Sequence, residues 1–488
     1  MASVGPRLGW ICCLMLTAAC GDDAAGTGTG EGDDSSGPGT GSESGPSSVS
    51  LSGTSQGTGG SSGEGTDASS STAAVDDTST STSAEESSSS TGGECEAGCP
   101  QDQHCEQGVC AWDQGATIWT ATFDSRIPGG VDAANAVAVD GLDQIVVVGG
   151  LAVPDGMGGA IPDAYDVVIR KYDADGGLLW SQTRPQGLGV DVTTNGADEA
   201  LVAIGSFGPG AESAALYAPD GTAQWALTGT GAIADGIEIG AGGSYFVVGW
   251  VPGADPIPWA AQYTPAGGLL WQGDYSGQIG RDRRVVLDPS GTSLAMVGSN
   301  VVDQGGSDLI EEWLQVWPVD PGTGSPGPSP AVDQHSVSGM DVQAAFANGI
   351  AFMADGDMVV VGNELTPAES WNITLSRYAP DGSLVWRETY DNPASTGDGG
   401  FDVAVDSAQN IVIVGAHDRV DLMEGENALV RKYDADGVLL WERQHDEAML
   451  GDRANGVAID SQDAIVVAGT VDAGDGSGPA LWVRKYAP

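Results

Sequence analysis

An all-β fold assembled from one repeated unit is expected, on three grounds. A run of β-branched and apolar residues ending in glycine recurs seven times; an aromatic residue is followed eight positions later by tryptophan in five of the units; and one fourteen-residue stretch is written almost twice. That stretch is "VVIRKYDADGGLLW" from Val167 to Trp180 and "ALVRKYDADGVLLW" from Ala428 to Trp441. Such self-similarity means that each repeat is one supersecondary unit, able to bury its apolar faces only against its neighbours.

The glycine-ended runs are "QIVVVG" to Gly149, "ALVAIG" to Gly205, "SYFVVG" to Gly249, "SLAMVG" to Gly298, "DMVVVG" to Gly362, "NIVIVG" to Gly415 and "AIVVAG" to Gly469. Short runs rich in Val and Ile and bounded by Gly, Asp and Ser are strands. Each follows a second short apolar segment and a tight turn, as in "FDVAVDSAQN" from Phe401 and "NGVAIDSQDA" from Asn455. Third and fourth strands are marked by the pairs Tyr172 and Trp180, Tyr217 and Trp225, Tyr263 and Trp271, Tyr378 and Trp386, and Tyr433 and Trp441. Between them, Asp173-Ala174-Asp175-Gly176 and Pro380-Asp381-Gly382 put glycine where a hairpin turn or bulge requires positive φ. Four consecutive antiparallel strands make one blade of a β-propeller.

The seventh unit reaches Tyr486 in "LWVRKY" without a fourth strand, and "ATIWTAT" at 116–122 supplies a matching one, with Trp119 placed like Trp180. The prediction for 115–488 is therefore a seven-bladed propeller of four-stranded antiparallel blades, its ring closed by an N-terminal strand so that no edge is left unpaired. In the fourth unit Trp317 stands at the tyrosine position, and the Pro-rich "PVDPGTGSPGPSPAVDQHSV" lacks the later Trp, so its outer strand is expected to be short or irregular. The recurring Trp residues are expected to pack between neighbouring blades, each burying about 150–250 Å²; stacking a sugar or quinone ring is the functional alternative.

Upstream, Gly21 to Glu94 is almost wholly Gly, Ser, Thr, Asp, Glu and Ala, with thirteen carboxylates and no aromatic, Lys or Arg. Such a segment buries too little apolar surface to offset its ordering entropy and is expected to be a disordered tether over 20–94. Before it, Arg7 precedes the apolar run "LGWICCLMLTAAC", too short to span a bilayer as a mature helix. With Thr17-Ala18-Ala19-Cys20 at its end, this run resembles a bacterial lipoprotein signal. The resemblance implies removal of 1–19, lipidation of Cys20, anchorage to a membrane through that lipid, and residence as an outer-membrane lipoprotein facing the periplasm or the cell surface. Thr17 departs from the Leu usual at that place.

Four further cysteines, Cys95, Cys99, Cys105 and Cys110, lie in "CEAGCPQDQHCEQGVC", which has too few apolar residues for a core. Cross-links must hold it, so two disulfides in an oxidising compartment are expected. Three pairings are possible; Cys95 with Cys105 and Cys99 with Cys110 is the one expected, while a zinc site aided by His104 is the alternative. The piece 95–110 resembles half of an EGF-like module, a collar between tether and ring.

"DAYDVVIRKYDADGGLLWSQT" from Asp163, "NAVAVDGLDQIVVVGG" from Asn135 and "NGVAIDSQDAIVVAGT" from Asn455 resemble the SBBP-type bacterial β-propeller repeat and, less closely, NHL repeats. The resemblance implies a propeller of the cell envelope and no particular activity, because one fold hosts many chemistries.

Charge and chemistry narrow the function. The net charge is −51, from 17 Lys and Arg against 68 Asp and Glu. Binding to nucleic acid or an anionic lipid surface by charge is excluded; a basic partner or a divalent cation is compatible. His104, His335, His417 and His445 have no spacing of a metal triad or catalytic pair, so no catalytic residue is assigned. The Asp-x-Asp-Gly turns at Asp173 and Asp434 resemble the start of a calcium loop but lack its later ligands, so Ca²⁺ stays an alternative to a plain turn and no cofactor is predicted. The loops between second and third strands vary most, from 205–217 to 149–172, and share one face. Tyr165, Trp250, Trp259 and Trp371 on that face are the candidate ligand-binding residues. The reading is a monomeric envelope lipoprotein whose propeller binds a protein or glycan. A quinoprotein-like enzyme is one alternative, because the "YDADGGLLW" turn is similar to the tryptophan docking repeat of those eight-bladed enzymes, and an outer-membrane assembly scaffold is another.

Overall fold

The computed structural model describes residue 99, residues 101–106 and, except for short loop stretches, residues 109–488. The expected signal 1–19, the tether 20–94, Cys20 and Cys95 lie outside the described residues. Among the described residues regular structure is all strand, apart from one 3-10 turn at Ala241–Gly243. A small hairpin of Gln103–Glu106 and Val109–Trp112 comes first. Cys110 in it is bonded to Cys99, Cα atoms 5.4 Å apart, and Cys105 is also disulfide-bonded.

The rest is a succession of antiparallel meanders, numbered here as sheets. Sheets I, II and III span 133–184, 188–228 and 233–274; sheets IV, V and VI span 280–336, 344–390 and 398–445. Sheet VII takes three strands from 453–486 and its fourth from Thr117–Phe123, which pairs antiparallel with Ala480–Tyr486, Trp119 opposite Lys485. This is a β-propeller architecture: all-β, in repeated four-stranded antiparallel sheets. Sheets IV and V are additionally joined by one parallel pairing, Ile310 with Ala344.

The split hairpin in sheet VII copies an unbroken one. Ala487 N–H donates to the Ala116 carbonyl (2.8 Å) and Gly115 N–H to the Ala487 carbonyl (3.2 Å), just as Asp173 N–H donates to Gly177 (2.8 Å) and Gly176 N–H to Asp173 (3.1 Å). One apolar cluster lies between each pair of consecutive sheets, and another lies between VII and I, where Val466, Leu481 and Val483 meet Ala134, Val147 and Val168.

The glycine that ends each second strand has a local cause. In every first strand the pairing with the second skips one residue, a bulge at Asn135, Val190, Asp235, Arg283, Asn348, Phe401 and Asn455. Opposite it, a Cβ on Gly149, Gly362 or Gly469 would collide with the carbonyl oxygen of Ala133, Phe346 or Arg453. Glycine alone leaves room for the bulged backbone.

The duplicated fourteen residues are scaffold for similarly local reasons. Lys171 pairs with Asp140 (2.7 Å), Lys432 with Asp406 (2.9 Å) and Lys485 with Asp460 (2.7 Å), each bridging the third strand to the first turn of its own sheet. Asp173 Oδ1 accepts the backbone N–H of Asp175 (3.1 Å) and Gly177 (2.7 Å), and Asp434 does the same with Asp436 (3.0 Å) and Val438 (2.9 Å). These carboxylates build the turns. The outer-strand Trp reaches the next sheet: Trp119 Nε1 donates to Ala174 (3.1 Å), Trp180 to Pro219 (2.8 Å) and Trp225 to Pro265 (3.1 Å). Under Trp119 lies Gly176, at φ +87°, where a Cβ would come within 2.8 Å of the indole.

Sheet IV has the short outer strand expected, Val332–Ser336. Val332 stands opposite Val316, the register held by Trp180 opposite Lys171, and it packs over Gly382 of sheet V in the tryptophan's place.

Candidate functional site

The bulges within the first strands decide what each sheet presents to the others. In I, V and VII the bulged residue is Asn, and it ties one sheet to the next: Asn135 Nδ2 donates to Gly189 (2.9 Å), Asn348 to Gly400 (2.8 Å) and Asn455 to Ala134 (2.9 Å). The residue after the bulge is Gly236, Gly349 or Gly456 in III, V and VII, where a Cβ would come within 2.8–2.9 Å of the neighbouring sheet's backbone. Where these two positions are free of that duty, charge appears: Asp191 in II, Asp235 in III, Arg283 and Arg284 in IV, and Asp402 in VI.

Arg284 links these groups. Its Nη1 lies 3.6 Å from Asp191 Oδ1 and donates to the carbonyls of Asp235 (3.1 Å) and Val190 (3.4 Å). Asp191 Oδ2 accepts Ile237 N–H (2.9 Å), and Asp402 Oδ2 accepts Val457 N–H (3.0 Å), so each carboxylate also holds the sheet that follows its own. Arg284 feels Asp402 of sheet VI as well as Asp191 and Asp235. One guanidinium thus lies within electrostatic reach of carboxylates from three other sheets.

Burial dominates the electrostatics. It pushes the Asp235 carboxyl up to about 6 although Arg281, Arg283 and Arg284 oppose the rise. Burial likewise pushes Asp402 up to about 6 against the pull of Arg284, and Asp191 is raised for the same reason. Glu238, half-buried, is pushed up to about 8 by desolvation and by the nearby Asp191 despite its bond from Ile239 N–H, and desolvation lowers Arg283 to about 10. Glu238 thus holds its proton near neutrality, while Asp235 and Asp402 are largely ionised beside the guanidinium groups, so the cluster offers both donors and acceptors. The cluster is suited to gripping a polar group. Among the described residues no three His, Cys, Asp or Glu side chains are grouped to hold a metal.

The four residues picked from the sequence are not brought together. Trp259, 4% exposed, packs in the cluster between sheets II and III. Trp250, 8% exposed, lies under Arg281, whose Cζ is 4.1 Å from its ring. Trp371 is half-buried against Phe346, ring centroids 5.5 Å apart, and pairs with Gly397 of the next sheet. Tyr165 is half-buried in Ala160–Tyr172 opposite Ala152. The longest connection, in sheet I, is mostly an extended hairpin, paired out to Pro154 and Ala160, which is why its residues sit on a sheet and not on a free loop. Signals for the charged cluster were present only as "RDRR" at Arg281–Arg284, a dense basic run in a chain with 17 Lys and Arg, and as Asp at matching positions of separate repeats.

No family model matches the chain, and no curated protein matches it. Among solved structures it is similar to hydrazine synthase of Kuenenia stuttgartiensis, at 11% identity and TM-score 0.46 over 71% of this chain and 94% of that one. It is also similar to the Dos1 propeller, at 10% identity and TM-score 0.43 over 77% of this chain and 95% of that one. A protein of unknown function from Bacteroides caccae follows at 13% identity and TM-score 0.33, over 57% and 90% of the two chains. The propeller assignment rests on this chain's own sheets.

Proposed function

We propose that the chain is an envelope lipoprotein, lipidated at Cys20, whose seven-bladed closed propeller is a binding module for a protein or glycan of the envelope or its surroundings. Closure is supported by the pairing of Thr117–Phe123 with Ala480–Tyr486, by the bond from Asn455 to Ala134, and by the apolar cluster shared between sheets VII and I. Seven meanders of this kind fit seven blades. The SBBP-type reading remains part of the proposal, as does an outer-membrane location.

The observation that carries the binding role is the meeting of Asp191, Asp235, Arg284 and Asp402 from four sheets at the bulges within the first strands. In an antiparallel meander the starts of the first strands lie on the same side as the connections between second and third strands. The proposed binding face is that side, where the variable hairpins surround the way in to the charged cluster. A partner recognised there presents hydrogen-bonding groups to a cluster that is itself nearly charge-balanced.

Palmitate labelling and vesicle binding test the two halves. Label should enter the wild-type chain and be lost in Cys20→Ala; label retained in that variant removes the anchor. Residues 95–488, purified, should bind saturably to envelope vesicles, and Asp235→Asn, with its fold verified by circular dichroism, should lower that binding. Equal binding by the variant moves the interaction elsewhere.

A further inference from the structure

A cavity of about 400 Å³ opens between the outer strands of sheets V and VI, within the size range of small-molecule pockets. Ile373, Leu375 and Ile413 form its apolar floor, Arg431 and Tyr433 its polar wall, and Glu388 lies exposed on its lip. It is separate from the charged cluster at the first strands.

What sets this groove apart is the fate of its arginine. The "RKY" of sheets I, VI and VII places Arg170, Arg431 and Arg484 against the last aromatic of the preceding outer strand, Phe123, Tyr390 and His445. Arg484 is used by the protein: its Nη1 and Nη2 meet His445 at 3.0 and 3.4 Å, and Nε donates to Thr120 at 2.8 Å. Arg170 Nε donates to Tyr172 at 2.8 Å. Arg431 lies flat on Tyr390, Cζ 4.1 Å from the ring centroid, with Nε 3.0 Å from Glu442, and its side chain is 11% exposed. Its two terminal nitrogens hydrogen-bond none of the described residues, and neither does the Tyr433 hydroxyl, although Tyr433 is 6% exposed. Both groups line the cavity.

A planar guanidinium edge beside a phenol is a receptor for a carboxylate. The chain's net charge of −51 repels a free anion, however, and Glu442 and Glu388 flank the site. A ligand neutral overall, with its ammonium toward Glu388, escapes both objections, and the floor requires an apolar body. We propose that the V–VI groove binds a small apolar α-amino acid as its zwitterion, carboxylate on Arg431 and Tyr433, ammonium toward Glu388, side chain on Ile373, Leu375 and Ile413.

The test is calorimetric titration of the full chain with L-leucine, 4-methylpentanoate and isoamylamine, which present both charged groups, the carboxylate alone and the ammonium alone. L-leucine should bind at least about tenfold more tightly than either fragment, the factor expected for one hydrogen bond to a charged group. Tyr433→Phe should weaken L-leucine about tenfold at unchanged melting temperature. Glu388→Gln should weaken it similarly while bringing 4-methylpentanoate level with it. No heat with L-leucine overturns the site; a fragment that binds wild type as tightly as L-leucine overturns the zwitterion; indifference to both substitutions overturns the placement.

Discussion

The indole of Trp441, in sheet VI, lies over Gly115, whose φ is +67° and whose added Cβ would sit 3.1 Å from the ring. Arg443 holds the same segment, Nε donating to the Gly115 carbonyl (2.9 Å) and Nη2 to that of Gln114 (2.7 Å). Trp119 stands in the same relation to Gly176, so the segment before Thr117 does the work of a turn glycine although it comes from the other end of the chain. Gly115→Ala should lower stability by about 1–2 kcal/mol, because alanine is strained at positive φ and crowds the indole. Urea unfolding followed by tryptophan fluorescence measures it. No change would mean that this segment does not hold the seventh sheet.

The Lys432 and Asp406 pair should behave as a buried ion pair. Burial alone would raise the Asp406 carboxyl, but Lys432 and the bonds from Asn410 outweigh it and hold the carboxyl below its ordinary range. Lys432→Met strands that charge and should cost about 3–5 kcal/mol. Adding Asp406→Asn should recover part of the loss. The midpoints of denaturant unfolding for the two variants decide the point.

Stability should fall as pH rises from about 4.5 toward 8. Glu238 is pushed up to about 8, and Asp235 and Asp402 to about 6, chiefly by burial. Each raised carboxyl binds its proton more tightly folded than unfolded, so its contribution is complete below the unfolded pKa and is lost as pH climbs through the folded one. Melting temperatures across that window should decline for wild type and decline less for Glu238→Gln. Matching slopes would remove Glu238 from the explanation.

Asp463 and Asp143 take φ of +62° and +58° without being glycine. Each spends its carboxylate on the preceding sheet's turn: Asp463 accepts Ser407 N–H (2.9 Å) and Oγ–H (2.6 Å), and Asp143 accepts Ser461 N–H (2.9 Å) and Oγ–H (2.7 Å). Asp463→Gly keeps the backbone and loses the bonds; Asp463→Ala loses both. Alanine should therefore be the more damaging, by about 1 kcal/mol, as thermal unfolding of the two variants can show. Equal losses would assign the whole effect to the bonds.

Strands, their order and their period can be read from the residues alone, because a bulge that admits only glycine, a turn that needs positive φ and a tryptophan that must reach the next sheet each leave a residue at a fixed place. Gly149, Gly176 and Trp180 are legible for that reason. The residues alone also mark sheet IV as the exception, through the missing tryptophan that Val332 replaces. Which side chains meet depends on how the sheets pack together. Asp191 and Asp402 lie 211 positions apart, with Asp235 and Arg284 between them, and the four acquire a common environment only when their bulges are brought together, whereas Trp250 and Trp259, conspicuous in a linear reading, are consumed by packing. Periodicity reports what every unit needs locally, and a site is made where units differ and then meet.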